Sequence, residues 1–293
     1  MSTLNREETP PKFTRIMLKN KCKFSFILLI LIFLGASAFS ADKPPESSKF
    51  IVICPPKCGT HLISRALQLM TNKKPFHARD YYLDDYSGFV RDMSVCEKKK
   101  RFIQTHIPVD QRLIKWFKSR KYKVFTILRD PRDVLISSIH WVFSGNDVDH
   151  LIDVPEESFS QLSLEEQISE LITGERFGFQ LIDRLYRRHY DWLELDRNML
   201  YPTTFEELVG PNGGGDELQQ KRVIHEIAQH IGMSLSEEKV DKIATELFGN
   251  TNTFRSGQIG AWKKDFSDQN KEEFKRYYGE DLIRLGYEQD FDW

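Results

Sequence analysis

The segment Pro55-Pro56-Lys57-Cys58-Gly59-Thr60-His61-Leu62 joins an apolar run, Phe50 to Cys54, to an amphipathic stretch beginning near Gly59. The run reads as a strand and the stretch as a helix, so the turn between them opens a helix N-terminus. Backbone N–H groups there lack intrahelical acceptors and carry the positive end of the helix dipole. A Gly/Thr turn with a Lys inside it therefore suits a phosphorylated ligand. The turn is not a Walker A loop: no Gly-x-x-x-x-Gly-Lys-Ser/Thr occurs in the chain, and the Lys precedes the Gly. That spacing weighs against a nucleoside-triphosphatase.

A second strand-turn-helix follows. Tyr122 to Leu128 is apolar and β-rich, and Arg129-Asp130-Pro131-Arg132-Asp133-Val134-Leu135-Ile136-Ser137 comes directly after it. Pro131 suits the first turn of a helix, and Arg129 stands at the carboxyl end of its strand, where open α/β sheets place ligand contacts. The Arg fork matches a phosphate, and Ser137, two helical turns on, adds a hydroxyl. The plain alternative is a surface Arg-Asp pair before a capped helix. A third segment, Phe254-Arg255-Ser256-Gly257-Gln258-Ile259-Gly260-Ala261-Trp262-Lys263, has neither helical nor strand period. It reads as a loop that folds over a nucleotide, with Phe254 near a base and the Arg255/Gly257 backbone near a phosphate.

In this order and spacing the three segments resemble the PAPS-dependent sulfotransferase family of cytosolic type, from about Lys49 to Tyr287. The resemblance implies an α/β fold in three layers, a mostly parallel central sheet flanked by helices, with a P-loop-like strand-turn-helix. It implies that Lys57, Cys58, Gly59, Thr60 and His61 cradle the 5′-phosphosulfate of 3′-phosphoadenosine-5′-phosphosulfate (PAPS). Arg129, Ser137, Arg255, Ser256 and Gly257 would hold its 3′-phosphate. Within Arg101-Phe102-Ile103-Gln104-Thr105-His106-Ile107-Pro108, similar to the family's Lys-Thr-His-x-Pro, it singles out His106 as general base. An imidazole titrating near neutrality at a strand end can take a hydroxyl proton. Lys57 and the loop N–H groups would meet the negative charge that grows on the departing phosphate. No metal is expected, since the histidines and cysteines lack ligand spacing.

The sequence departs from the family pattern at four places. Gln104 replaces a Lys common two residues before the base, and Leu62 stands where Trp often stacks on adenine. Phe205 replaces a Tyr that often contacts adenine, and the short dimer motif is altered across Lys263 to Glu272, with Ser267-Asp268 at its centre. The oligomeric state is therefore left open. The expected activity is transfer of a sulfuryl group to a hydroxyl or amino acceptor, on a small molecule, glycan or peptide. A catalytically weak or inactive PAPS-binding relative is the first alternative and a P-loop-type kinase the second.

The 293 residues are 40% hydrophobic and 29% charged with net charge -1, enough apolar content for a core and no sign of a nucleic-acid partner. Apolar strands alternate with longer helical patterns, which favours a covered parallel sheet. Ser163-x-x-Glu166 and Ser234-x-x-Glu237 read as capping boxes, Gly213-Gly214-Gly215 as a flexible surface turn, and 145–159 as a loop. Four cysteines give no disulfide framework. Ahead of the catalytic domain, expected over 49–293, residues Phe24 to Leu34 form an apolar run preceded by Lys19, Lys21 and Lys23 and followed by Ala36-Ser37-Ala38. Residues 1–40 read as a cleaved signal peptide or, joining Phe24 through Phe39, a signal anchor that attaches the protein to a membrane; 41–48 is a linker. Export or membrane anchoring is expected ahead of a cytosolic location.

Overall fold

The computed structural model describes residues 48–78, 85–144, 152–249 and 256–293. Its centre is β1 (Phe50–Ile53), four apolar residues each at most 3% exposed. A strand apolar at every position is covered on both faces. Phe50 and Val52 enter one core with Phe125 and Ile127, while Ile51 and Ile53 enter another with Ile103 and Val124. This is the two-residue alternation of a strand applied to two apolar layers.

β1 pairs in parallel with β3 (Arg101–Thr105) on one side and β4 (Lys123–Leu128) on the other. The order is β2-β3-β1-β4-β5, all parallel, with β2 (Lys74–His77) and β5 (Leu200–Thr204) as edges. Pro75 and Pro202 lie in those two edge strands, where a missing N–H costs no ladder bond. Helices α1 (Thr60–Thr71), α8 (Glu217–His230) and α9 (Glu237–Leu247) cover one face, and α2 (Tyr86–Lys98) and α3 (Gln111–Arg120) the other. A third apolar cluster joins α4 (Pro131–Val142), α6 (Leu164–Thr173) and α10 (Asp268–Leu285). The expected three-layer α/β fold is the one observed. Shorter helices are α5 (Glu156–Ser160) and α7 (Phe205–Leu208).

Three local expectations change. The cap of α9 is Ser236, whose side chain accepts from the Lys239 N–H, and not Ser234, which is exposed two residues earlier. The Gly213 region is no loose turn: Gly213 is buried in a 3-10 turn, its carbonyl accepts from the Ile259 N–H at 3.0 Å, and a Cβ there would lie 2.2 Å from Val209 Cγ2. Of the expected loop over 145–159, the last residues begin α5, and 145–151 lie outside the described residues. Ser163 does form its capping box with Glu166, and Ser267 forms one with Asn270, so the altered dimer motif here starts α10. In Ser236→Ala the denaturant midpoint should fall by the equivalent of about 1 kcal/mol, while Ser234→Ala should stay within about 0.5 kcal/mol of wild type.

Candidate active site

Because the strands are parallel, the turns after β1, β3 and β4 leave the sheet at one edge. After β1 the chain enters a bend in which Lys57 takes a left-handed conformation, φ 63°, unusual for a side-chain-bearing residue. Gly59 follows at φ 104° and is the N-cap of α1. A Cβ at Gly59 would meet Phe205 Cδ2 at 3.0 Å and Ile127 Cδ1 at 3.3 Å, so both backbone angle and space require glycine. No side chain caps α1, while the Leu62 and Ile63 amides bond back to the Gly59 carbonyl. Thr60 is buried with Oγ1 3.0 Å from Cys54 Sγ. Cys58 is fully buried, and burial raises its thiol well above the ordinary range, so it offers the loop its backbone and no nucleophile. The Lys57 Nζ lies 3.7 Å from the centre of the Trp141 ring.

At the end of β4, Arg129 is 8% exposed. One guanidinium nitrogen donates to the Gln258 carbonyl at 2.9 Å and lies 3.6 Å from Asp133 Oδ2, and its plane covers the Phe205 ring at 4.4 Å. Among the described residues its Nε is buried with no acceptor. A buried, unmet donor on a cation fits an anion. The Tyr186 hydroxyl donates to the Arg129 carbonyl at 2.7 Å and fixes this backbone. Asp133 is 1% exposed and accepts from the Gly260 N–H at 2.8 Å and the Trp262 N–H at 3.0 Å. It hangs the third segment on the second, next to Arg129. Arg132 is 3% exposed, paired with Asp130 and Glu288 and held between the Trp262 and Trp293 rings.

His106, after β3, is 9% exposed, and its Nδ1 lies 2.7 Å from the Cys54 carbonyl. A carbonyl only accepts, so Nδ1 carries the proton and the lone pair of the neutral ring is on Nε2. Behind it the buried His189 places Nε2 2.9 Å from the His106 carbonyl and Nδ1 3.0 Å from that of Leu185. Burial first, then the charge of a protonated His106, pushes His189 down to about 3, so it stands neutral and donates through one nitrogen. His61 on α1 is pushed down to about 4 by burial, then by His77, His106 and Lys57.

The structure thus draws Lys57, Cys58, Gly59, Thr60, His61 and His106 around one bend, and sets Arg129, Phe205 and the loop from Ser256 at the next. Gly257 takes φ 58°, a left-handed turn beside Gln258, which contacts Arg129. Ser137 lies half-buried on α4. Phe254 and Arg255 lie outside the described residues. Sequence reasoning passed over Asp133, Trp141 and Glu206, and it noted His77 near the motifs without giving it a role. Asp133 stood inside a quoted motif, where an Asp four after an Arg was signal enough for an ion pair. The other three gain their place only through the fold. Among the described residues no three His, Cys, Asp or Glu converge as metal ligands, and no helix is long and apolar enough to cross a membrane; the segment Phe24 to Phe39 lies outside them.

Comparison with known proteins agrees with this geometry. The sequence matches the family described as Sulfotransferase domain over residues 47–286. It is 26% identical to sulfotransferase 6B1 of Mus musculus, covering 84% of this chain and 78% of that protein. It is 22% identical to 3-beta-hydroxysteroid sulfotransferase of Cavia porcellus, covering 79% and 83%. Mouse sulfotransferase SULT7A1 complexed with PAP superposes with TM-score 0.55 at 17% identity, over 83% of this chain and 88% of that one. Retinol dehydratase with androsterone and inactive cofactor PAP gives 0.51 at 15%, over 82% of each. These two likenesses speak for the fold. The chain belongs to the sulfotransferase family, the PAPS-dependent enzyme class that its motifs resemble.

Glu206 supplies a pH-dependent element. Its carboxylate accepts from the Asp130 N–H at 3.0 Å and the Tyr287 hydroxyl at 3.2 Å, and burial, against the help of the Asp130 N–H, raises it from 4.5 to about 7. The folded state then holds this proton more tightly than the unfolded state, so the group's stabilisation is complete below pH 4.5 and lost as pH rises through about 7. Urea midpoints of wild type and Glu206→Gln measured at both ends of that window should diverge, the variant gaining up to about 3 kcal/mol over wild type on the alkaline side. Because Glu206 is half-buried, that figure is an upper value.

Proposed function

We propose that the chain moves a sulfuryl group from PAPS to a hydroxyl or amino acceptor, with His106 as general base and Lys57 at the leaving phosphate. The observation that carries this reading is the His106 bond to the Cys54 carbonyl, at the start of the bend that bears Lys57 and Gly59. It leaves Nε2 as the nitrogen that can accept a proton when the ring is neutral, beside a helix N-terminus suited to a phosphate. Acceptor O–H loses its proton to His106 Nε2 while α1 amides and Lys57 meet charge on the departing phosphate oxygen. Arg129, with its unmet Nε, and the loop from Ser256 fit the 3′-phosphate of the same donor. Arg255 and Ser137 belong to that subsite by resemblance, and Phe205 and Phe254 to the adenine end.

Relatives named for a 3-beta-hydroxysteroid and the neighbour bound to androsterone favour a small-molecule acceptor. The charge pattern of residues 1–40 supports an export or anchor segment ahead of the domain at 49–293. One observation favours the inactive alternative: Gln104 brings no charge to the base.

Calorimetric titration of the chain with 3′-phosphoadenosine-5′-phosphate (PAP), beside AMP, separates the readings. Micromolar or tighter PAP binding that needs the 3′-phosphate and is lost in Arg129→Ala supports the donor site. AMP binding as well as PAP would sink it. His106→Ala should keep PAP binding and lose transfer by about a hundredfold or more. Asp133→Ala, which frees the loop at Gly260 and Trp262, should weaken PAP at least about tenfold in the same titration.

A further inference from the structure

We propose that His77 is the group through which the proton taken up by His106 leaves the site, a role that rests on His106 being the base. A buried base that has taken a proton must discharge it before the next turnover. His106 is poorly placed to do so alone. It is 9% exposed, its Nδ1–H is held by the Cys54 carbonyl, and its own carbonyl is bonded to His189. Neighbouring His61 feels His77, His106 and Lys57 together, so these groups share one small region. The proton on His106 must therefore pass to a more exposed group in reach.

His77 is that group. It ends edge strand β2, is exposed, and sets its ring 5.8 Å from the His106 ring centre at 65°, edge to face. Gln104, in register with His77 on the adjacent strand, places its amide Nε2 3.3 Å from His77 Nδ1. An amide nitrogen donates, so neutral His77 carries its lone pair on Nδ1 and its proton on Nε2. Among the described residues the other end of the same amide, Gln104 Oε1, is buried with no donor. A half-turn of the amide presents Oε1 to a protonated Nδ1, so Gln104 serves His77 in both charge states. A lysine, common at this position in the resembling family, would repel the charged one. The exchange of Lys for Gln is thereby matched by the imidazole beside it. The proton count closes: acceptor O–H to His106 Nε2, from there through one water to His77 Nδ1 as the Gln104 amide turns, from His77 Nε2 to bulk solvent, and the starting Nε2–H tautomer of His77 returns by exchange of its ring protons with solvent.

The full chain is assayed for transfer from PAPS to the probe phenol 2-naphthol, with wild type, His77→Asn and His106→Ala compared from about pH 6 to about pH 8, with and without imidazole in the buffer. The expected result is a kcat about tenfold lower in His77→Asn, an unchanged KM for PAPS, and recovery on adding imidazole. A side chain with only a structural role would show no such recovery. Wild-type kcat in His77→Asn, or a loss that imidazole leaves untouched, overturns the proposal while the base stands. Full activity in His106→Ala removes the base itself. A second readout needs no acceptor: in the PAP complex, nitrogen-15 histidine spectra should show slower exchange of the His106 ring proton with water in His77→Asn, and an unchanged rate overturns the proposal.

Discussion

The site depends on the parallel pairing of β1 between β3 and β4. Pairing of Ile53 with Thr105 and of Val52 with Phe125 fixes the heights at which Cys54, His106 and Arg129 leave the sheet. One register slip would turn each of these strands over, since side chains alternate with a period of two. The apolar layers on both faces prevent that slip, because β1 has no polar face to offer water. A hydrophobic constraint thus sets the spacing of His106, the bend before α1 and Arg129, which are far apart in the chain. The same pairing lets the last carbonyl of the β1 run choose the tautomer of a histidine from β3.

Charge is then distributed with unusual separation for a chain of net charge -1. Arg129, Asp130, Arg132 and Asp133 are all nearly buried within five residues of chain. Breaking one member of such a set leaves an uncompensated charge in a poor dielectric, a cost of several kcal/mol, so the group acts as one unit. Arg132 faces Trp262, Trp293 and Glu288, and Arg129 faces the Phe205 ring and the Gln258 carbonyl. The two arginines divide because Arg129 lies before α4, at the end of β4, while Arg132 lies in the first turn of the helix.

The two strand-turn-helix units, their strands to within a residue, and the three-layer class were legible in the sequence because runs such as Phe50 to Ile53 carry their burial in their composition. Gly59 was legible because only glycine suits the turn. The cap at Ser236 was misplaced to Ser234, since serines two apart offer the same chemistry and the choice is made by where the α9 backbone turns. The buried Gly213 turn was hidden for a related reason: its order comes from Ile259 and Val209, remote in sequence or contributing only packing. His77 and Trp141 could not be found by spacing, because their relation to His106 and Lys57 exists only after β2 pairs with β3 and α4 docks.

The bonds from Gly260 and Trp262 to Asp133 span 127 and 129 positions. All five strands are complete by Thr204. As the chain emerges during synthesis, the sheet can therefore form while Asp133 still lacks these two partners. Until Gly260 and Trp262 arrive, a buried carboxylate beside Arg129 has an amide deficit that only water can fill. Long-range contacts of this kind close late and slowly. The surroundings of Arg129 are then completed only after the sheet and the α8 and α9 cover have been made, and a ribosome-bound intermediate carries all the described strands with Asp133 still short of its two amides.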